Sequence, residues 1–235
     1  MTTDSRLYLS APVNAIVEGI YEEHVPFSEI KRHGDFGLGT FDLLDGEMVM
    51  LDGRVWQMRA DGSVSEVGDT AQTPFACVTF FRPEQQAALD GEMVYDDFLA
   101  RLQAPLPSAN IFYAFRIEGE FAHMKVRSVP KSECYIPLVE IAKEQPVFEF
   151  SDIRGTLAGF YTPDFMAAVS VPGMHLHFLS DDLSHGGHLL ACRPRRVSVG
   201  VQALHTVELA LPTTSYYMNW DFSRDVRKDL DKAEK

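Results

Sequence analysis

The chain has 235 residues, 34 of them acidic and 21 basic, for a formal net charge of −13. A field of that sign excludes non-specific nucleic-acid binding, which needs a cationic surface; Arg193–Arg196 (RPRR) is too short a basic stretch to serve as a nucleic-acid arm. No run approaches the roughly 20 apolar residues of a membrane-spanning helix, while a hydrophobic content of 46% supplies a core for one large domain or two small ones.

The N-terminal residues lack the basic and apolar regions of a secretion signal. Cys77, Cys134 and Cys192 are widely spaced and form no C-x-x-C, which suits reduced thiols in a reducing compartment. A cytoplasmic protein is expected. Val13, Ile16, Val17 and Ile20 recur at helical spacing, and Phe27–His33 reads as a second short helix ended by Gly34.

Asp35–Val67 reads as a β-meander. Asp-Gly occurs at 45–46, 52–53 and 61–62 between apolar runs, a strong hairpin signal. The strands are expected at Gly37–Leu44, Glu47–Leu51, Arg54–Arg59 and Ser63–Val67. The glycines at 34, 37 and 39 precede strand residues rather than a helix, so they make no phosphate loop. Phe75–Arg82 is a further strand, and Tyr95–Leu102 a helix closed by Pro105 and Pro107. Ile111–Glu118 and Phe121–Val129 alternate as two strands, with Glu118-Gly119-Glu120 as their turn. Val147–Ser151 and Gly155–Pro163 read as two more.

Val171–Leu190 holds four of the chain's eight histidines. In a strand, His175 and His177 project from one face, with Leu176 and Phe178 on the other. After the polar turn Ser180–Ser184 comes His185-Gly186-Gly187-His188, in which the glycines allow close backbone approach. A hairpin then returns His188 to the His175/His177 pair. Three converging imidazoles are the ligand set of a catalytic zinc site with an open position, although imidazole also suits iron, copper and nickel. His185 sits at the loop tip, as a ligand, a supporting partner or neither. Arg195–Leu211 is one long alternating strand containing His205, and the tail from Asn219 has helical spacing and strong charge.

Many short strands and few helices predict an α+β, strand-rich fold with two sheet-based subdomains. The expected division is a mixed-sheet domain with the Asp-Gly meander over 1–140, and a β-rich domain with the histidine hairpin over 141–235.

Gly34–Gln57 (GDFGLGTFDLLDGEMVMLDGRVWQ), Phe112–Pro130 (FYAFRIEGEFAHMKVRSVP) and Pro172–His188 (PGMHLHFLSDDLSHGGH) resemble the signature stretches of the α-acetolactate decarboxylase family, and the likeness runs along essentially the whole chain. The resemblance implies two sheet-rich parts, a homodimer, a zinc ion without organic cofactor, and conversion of 2-acetolactate to acetoin and carbon dioxide. It makes His175, His177 and His188 metal ligands. Glu47 matches the acid of L-D-G-E at the metal site, Arg127 the active-site arginine and Thr40 a residue near the substrate. It also implies a tail glutamate folding back to the metal, with Glu234 the candidate and Asp231 the alternative. On residue type alone, Glu47 is a hairpin charge and Arg127 a strand arginine. Two other readings of the histidines stand beside this one. A cupin-like oxygenase or isomerase also uses H-x-H, but puts a glutamate where this chain has Asp181 and Asp182. A non-enzymatic zinc module would recruit Cys192, four residues past His188.

Overall fold

In the computed structural model, residues 5–21, 24–132 and 134–234 are described, the side chains of Asp231 and Glu234 excepted. The chain opens with β1 (Arg6–Leu9), α1 (Val13–Val17), β2 (Val25–Pro26) and α2 (Phe27–Ile30). The meander follows as β3 (Phe36–Thr40), β4 (Glu47–Leu51), β5 (Arg54–Met58) and β6 (Val64–Val67), then β7 (Gln72–Thr73) and β8 (Ala76–Thr79). Next come β9 (Gln85–Asp90), α3 (Tyr95–Gln103), β10 (Phe112–Arg127) and α4 (Leu138–Ile141). The rest is β11 (Val147–Thr162), β12 (Gly173–Ser180), β13 (Gly186–Leu204), β14 (Thr206–Leu209), α5 (Ser215–Asn219) and α6 (Arg227–Glu234). The fold is strand-rich, as expected.

A seven-stranded sheet runs in the order β14-β1-β8-β3-β4-β5-β6. The predicted meander, β3 to β6, forms one side of it and ends at its edge, and Asp52-Gly53 is a two-residue turn closed by the Leu51–Arg54 pair. The expected strand Gly37–Leu44 is shorter than predicted: it stops at Thr40, and Asp42–Leu44 forms a 3₁₀ turn. In the second sheet β10 pairs with β11 and β13, and β12 pairs with both β11 and β13, so these four strands close into a ring. β9 adds to the outside of β13.

Two expected breaks are absent. β10 runs straight through Glu118-Gly119-Glu120, and β11 joins the two strands predicted over 147–163. Gly119 marks a close approach of strands rather than a turn: a Cβ there would lie 2.2 Å from the Arg196 carbonyl oxygen on β13. Conversely, the strand expected over Arg195–Leu211 is divided at His205. β13 belongs to the second sheet, while β14 pairs in parallel with β1 in the first. His205 is exposed at that switch rather than enclosed in a strand. Sheet membership therefore changes near residue 80 and again at 205.

Two of the three buried apolar clusters among the described residues position the site. One lies between the sheets, with Leu38, Val49 and Trp56 from the first meeting Phe160 and Leu179 from the second. The other fills the ring, with Phe115, Phe121, Leu176 and Phe178 covered by Phe98 and Leu102 of α3. Full burial of each such side chain contributes roughly 1.5–3 kcal/mol. Among the described residues no helix is long and apolar enough to cross a membrane.

Candidate metal centre

Strand alternation divides the H-x-H segment as the sequence predicts. Leu176 and Phe178 enter the core of the ring, and His175 and His177 face the first sheet. The hairpin turn then sets His188 directly opposite His177 in the β12–β13 register. The predicted close approach at the glycines is present: a Cβ on Gly187, at φ 147°, would lie 2.4 Å from the Arg127 carbonyl oxygen. Any larger residue would push β13 away from β10 and take His188 with it.

The three imidazoles converge. His177 Nε2 lies 3.2 Å from His175 Nε2, which lies 3.2 Å from His188 Nδ1. Nitrogens bound at 2.0–2.1 Å to a tetrahedral ion stand about 3.3 Å apart, so the spacing fits a metal. Among the described residues these three histidines are the group able to hold one, and all are buried. His177 Nδ1 stands 2.9 Å from the Met48 carbonyl oxygen on β4. A carbonyl only accepts, so Nδ1 carries the hydrogen and Nε2 presents its lone pair to the other two rings.

Burial also sets the charge state. It lowers the pKa of His175 to about 3, helped by the Arg127 guanidinium. It depresses His177 well below the usual histidine value, and His175 and Arg127 add to the effect. These imidazoles are neutral at physiological pH, the form that binds a cation.

The remaining predicted residues come from registers beside these. Arg127 ends β10 opposite His188, buried to 7% exposure. Thr40 and Glu47 are partners across β3 and β4 of the facing sheet. Glu47 Oε2 reaches to 3.5 Å from His177 Nε2, while the Thr40 hydroxyl donates to the Gly46 carbonyl at 2.8 Å. Thr40, Glu47, Arg127 and the three histidines line one cavity between the sheets. Ala233 of α6 lines it too, so the C-terminal helix ends at the cavity. The side chains of Glu234 and Asp231 lie outside the described residues.

Other candidates lie elsewhere. His185 packs on Phe150, with ring centroids 4.3 Å apart, and is not in the triad. Cys192 would share the face of His188 by simple alternation, but Val126 pairs with Leu189 and Lys125 with Ala191. The extra residue, Leu190, is a bulge that reverses the parity. Cys192 is turned into the core of the ring, and the cysteine-containing zinc module is not formed. Two contributors carried no sequence signal: the Met48 carbonyl, because a backbone acceptor is the same at every residue, and Gln145, which also lines the cavity.

The family model for alpha-acetolactate decarboxylase matches residues 7–224. The chain belongs to the alpha-acetolactate decarboxylase family. The alpha-acetolactate decarboxylase of Methylococcus capsulatus is 39% identical over 98% of this chain and 89% of its own length. That of Bacillus subtilis is 36% identical over 98% of this chain and 91% of its own. The crystal structure of alpha-acetolactate decarboxylase from Bacillus subtilis strain 168 superposes with a TM-score of 0.95 at 35% identity, covering 98% of this chain and 99% of that one. Membership of the acetolactate decarboxylase family replaces the cupin-like alternative.

Proposed function

We propose that this protein decarboxylates 2-acetolactate to acetoin and carbon dioxide at a zinc ion held by His175, His177 and His188, with Glu47 and Glu234 as carboxylate partners. The observation that carries the reading is the trio of buried nitrogens at 3.2 Å spacings within a protein of this family. Loss of carbon dioxide leaves an electron pair delocalised onto the neighbouring ketone oxygen, and one proton taken up at carbon completes acetoin. A zinc ion held by His175, His177 and His188 would supply Lewis-acid stabilisation of that developing negative charge.

The protein's own groups do the rest. Arg127, buried beside the histidines, grips the substrate carboxylate and holds it in line for departure. Glu47 is positioned to carry the proton to carbon. Thr40 has committed its hydrogen to Gly46, so its oxygen meets the substrate as an acceptor only. The apolar wall formed by Val13, Ile16, Leu44, Val129 and Leu138 excludes water from the carbanion before it is protonated. A cytoplasmic location and a homodimer belong to the same reading. Light scattering after size exclusion tests the dimer.

The direct test is acetoin release from racemic acetolactate. Metal-loaded protein should produce it, chelated protein should not, and zinc should restore it. A metal-loaded preparation that yields no acetoin above the spontaneous rate would refute the function.

A further inference from the structure

Gln145 follows the 3₁₀ turn Ala142–Glu144 and precedes Pro146. The Ser128 N–H donates to the Pro146 carbonyl at 3.3 Å, and Val147 pairs with Arg127. The glutamine is thereby held alongside the end of β10, where its side chain lines the histidine cavity. Its side-chain carbonyl oxygen is buried and has no hydrogen-bond partner. A buried acceptor deprived of a donor destabilises a fold. In a cavity built for a ligand, the missing donor is supplied when the ligand arrives.

We infer that Gln145 is a substrate-recognition residue whose side-chain oxygen accepts the hydrogen bond of the substrate's tertiary hydroxyl. This rests on the acetolactate reading and deepens it. The acetolactate anion has a single O–H donor, that hydroxyl. Its ketone and carboxylate only accept, and Arg127 is the cation beside them. Gln145 has the complementary polarity for the hydroxyl and stands in a wall otherwise made of Val13, Ile16, Leu138 and Val129. A pocket that accepts from a substrate O–H rejects the analogue lacking it, because the acceptor is then desolvated without return. Gln145 accordingly selects 2-hydroxy acids over 2-alkyl acids of the same shape.

Two carboxylates that differ by OH against CH₃ probe the contact, and the change in their ratio from wild type to Q145M separates it from any contact of the hydroxyl with the ion: 2-hydroxy-2-methylpropanoate and 2,2-dimethylpropanoate. Their dissociation constants are measured by calorimetry on the zinc-loaded wild type, Q145M and Q145E, with metal content and circular dichroism as checks of integrity. Methionine keeps the length of glutamine and removes the acceptor, whereas glutamate keeps an acceptor. Q145M should weaken the hydroxy acid at least tenfold and the dimethyl acid less than twofold, and Q145E should retain the hydroxy-acid preference. In Q145M the KM for acetolactate should rise at least fivefold. Equal weakening of both acids in Q145M would mean that the amide donates to the carboxylate instead, and overturns the inference. So does wild-type behaviour of Q145M, or absence of a hydroxy-acid preference in the wild type. Acetoin release by the same wild-type preparation separates the two claims: without it the decarboxylase reading fails, and with it any of these results removes Gln145 alone.

Discussion

Arg127 and His188 are direct cross-strand partners on β10 and β13, and His188 is in turn the partner of His177 on β12. The cation and two of the imidazoles thus form one row across three adjacent strands. Their separations are fixed by sheet geometry rather than by flexible loops. Thr40 and Glu47 form a corresponding pair in the facing sheet. The site is two short rows of side chains brought face to face.

His177 holds both a ring neighbour and the Met48 carbonyl. His177→Ala should abolish metal binding and activity together while the far-ultraviolet circular dichroism keeps its sheet signature. Metal analysis checks it, and one metal per chain in the variant would remove His177 from the ligand set.

Arg127→Lys keeps the positive charge but loses the planar fork that meets a carboxylate with two parallel hydrogen bonds. Steady-state kinetics should record a fall in kcat/KM of at least tenfold, or about 1.4 kcal/mol of transition-state stabilisation. A kcat/KM equal to wild type would dismiss the carboxylate grip.

Glu47→Gln preserves size and hydrogen bonding and removes the proton carrier. Turnover should drop by about 10²-fold or more, the usual range for a lost acid–base group, with little change in thermal midpoint. Turnover within a factor of a few of wild type would exclude Glu47 from proton delivery.

The neutral histidines give metal-free protein a pH dependence of defined sign. An unfolded histidine protonates near pH 6.5, whereas burial holds His175 neutral to about 3 and depresses His177 well below its ordinary value. Between those values the unfolded chain binds more protons, so stability rises with pH. Their contribution is fully present above about pH 6.5 and is lost progressively as pH falls below it, for His175 down to about 3. The slope approaches about 1.4 kcal/mol per pH unit for each histidine. Chelated wild type should therefore lose more thermal stability between pH 7 and 5 than chelated His175→Gln. Equal losses in the two proteins would contradict neutral burial.

The C-terminal helix is the part of the site outside the family match, which ends at residue 224. Val226, Leu230 and Ala233 of this segment are buried in the core between the sheets, and Arg224 pairs with the buried Glu18 at 2.8 Å. A tail so anchored is poorly described as a frayed end. Glu234→Gln should impair decarboxylation and leave histidine-bound metal in place, whereas Asp231→Asn should change neither activity nor metal content. The opposite pattern would shift the tail residue by one helical turn.

The chemistry of the centre was legible because it is written in side chains at strand spacing. H-x-H with a returning histidine, and Asp-Gly turns between apolar runs, have local physical causes. What escaped had non-local ones. Gly119 looks like a turn residue, yet its smallness is required by β13 passing beside it. The bulge at Leu190 turns Cys192 away from the three histidines, and alternation counted along the sequence cannot register it. The division at His205 depends on β1 offering a parallel edge to β14. Gln145 was invisible for another reason: its role comes from a buried oxygen without a partner, which has meaning only inside a formed cavity.

The bond from His177 to the Met48 carbonyl joins strands of different sheets. With Glu47 reaching across the same seam, an ion at the histidines would act as a rivet between two layers, added to their apolar packing and to contacts such as Ser128 Oγ to the Met58 carbonyl. Occupancy then becomes a mechanical variable as well as a chemical one. Each tenfold excess of free ion over its dissociation constant adds about 1.4 kcal/mol against separation of the layers. Scarcity of the metal would therefore do more than idle the enzyme: it would leave a looser body, more open to proteolysis, so the supply of the ion would govern how long the protein lasts.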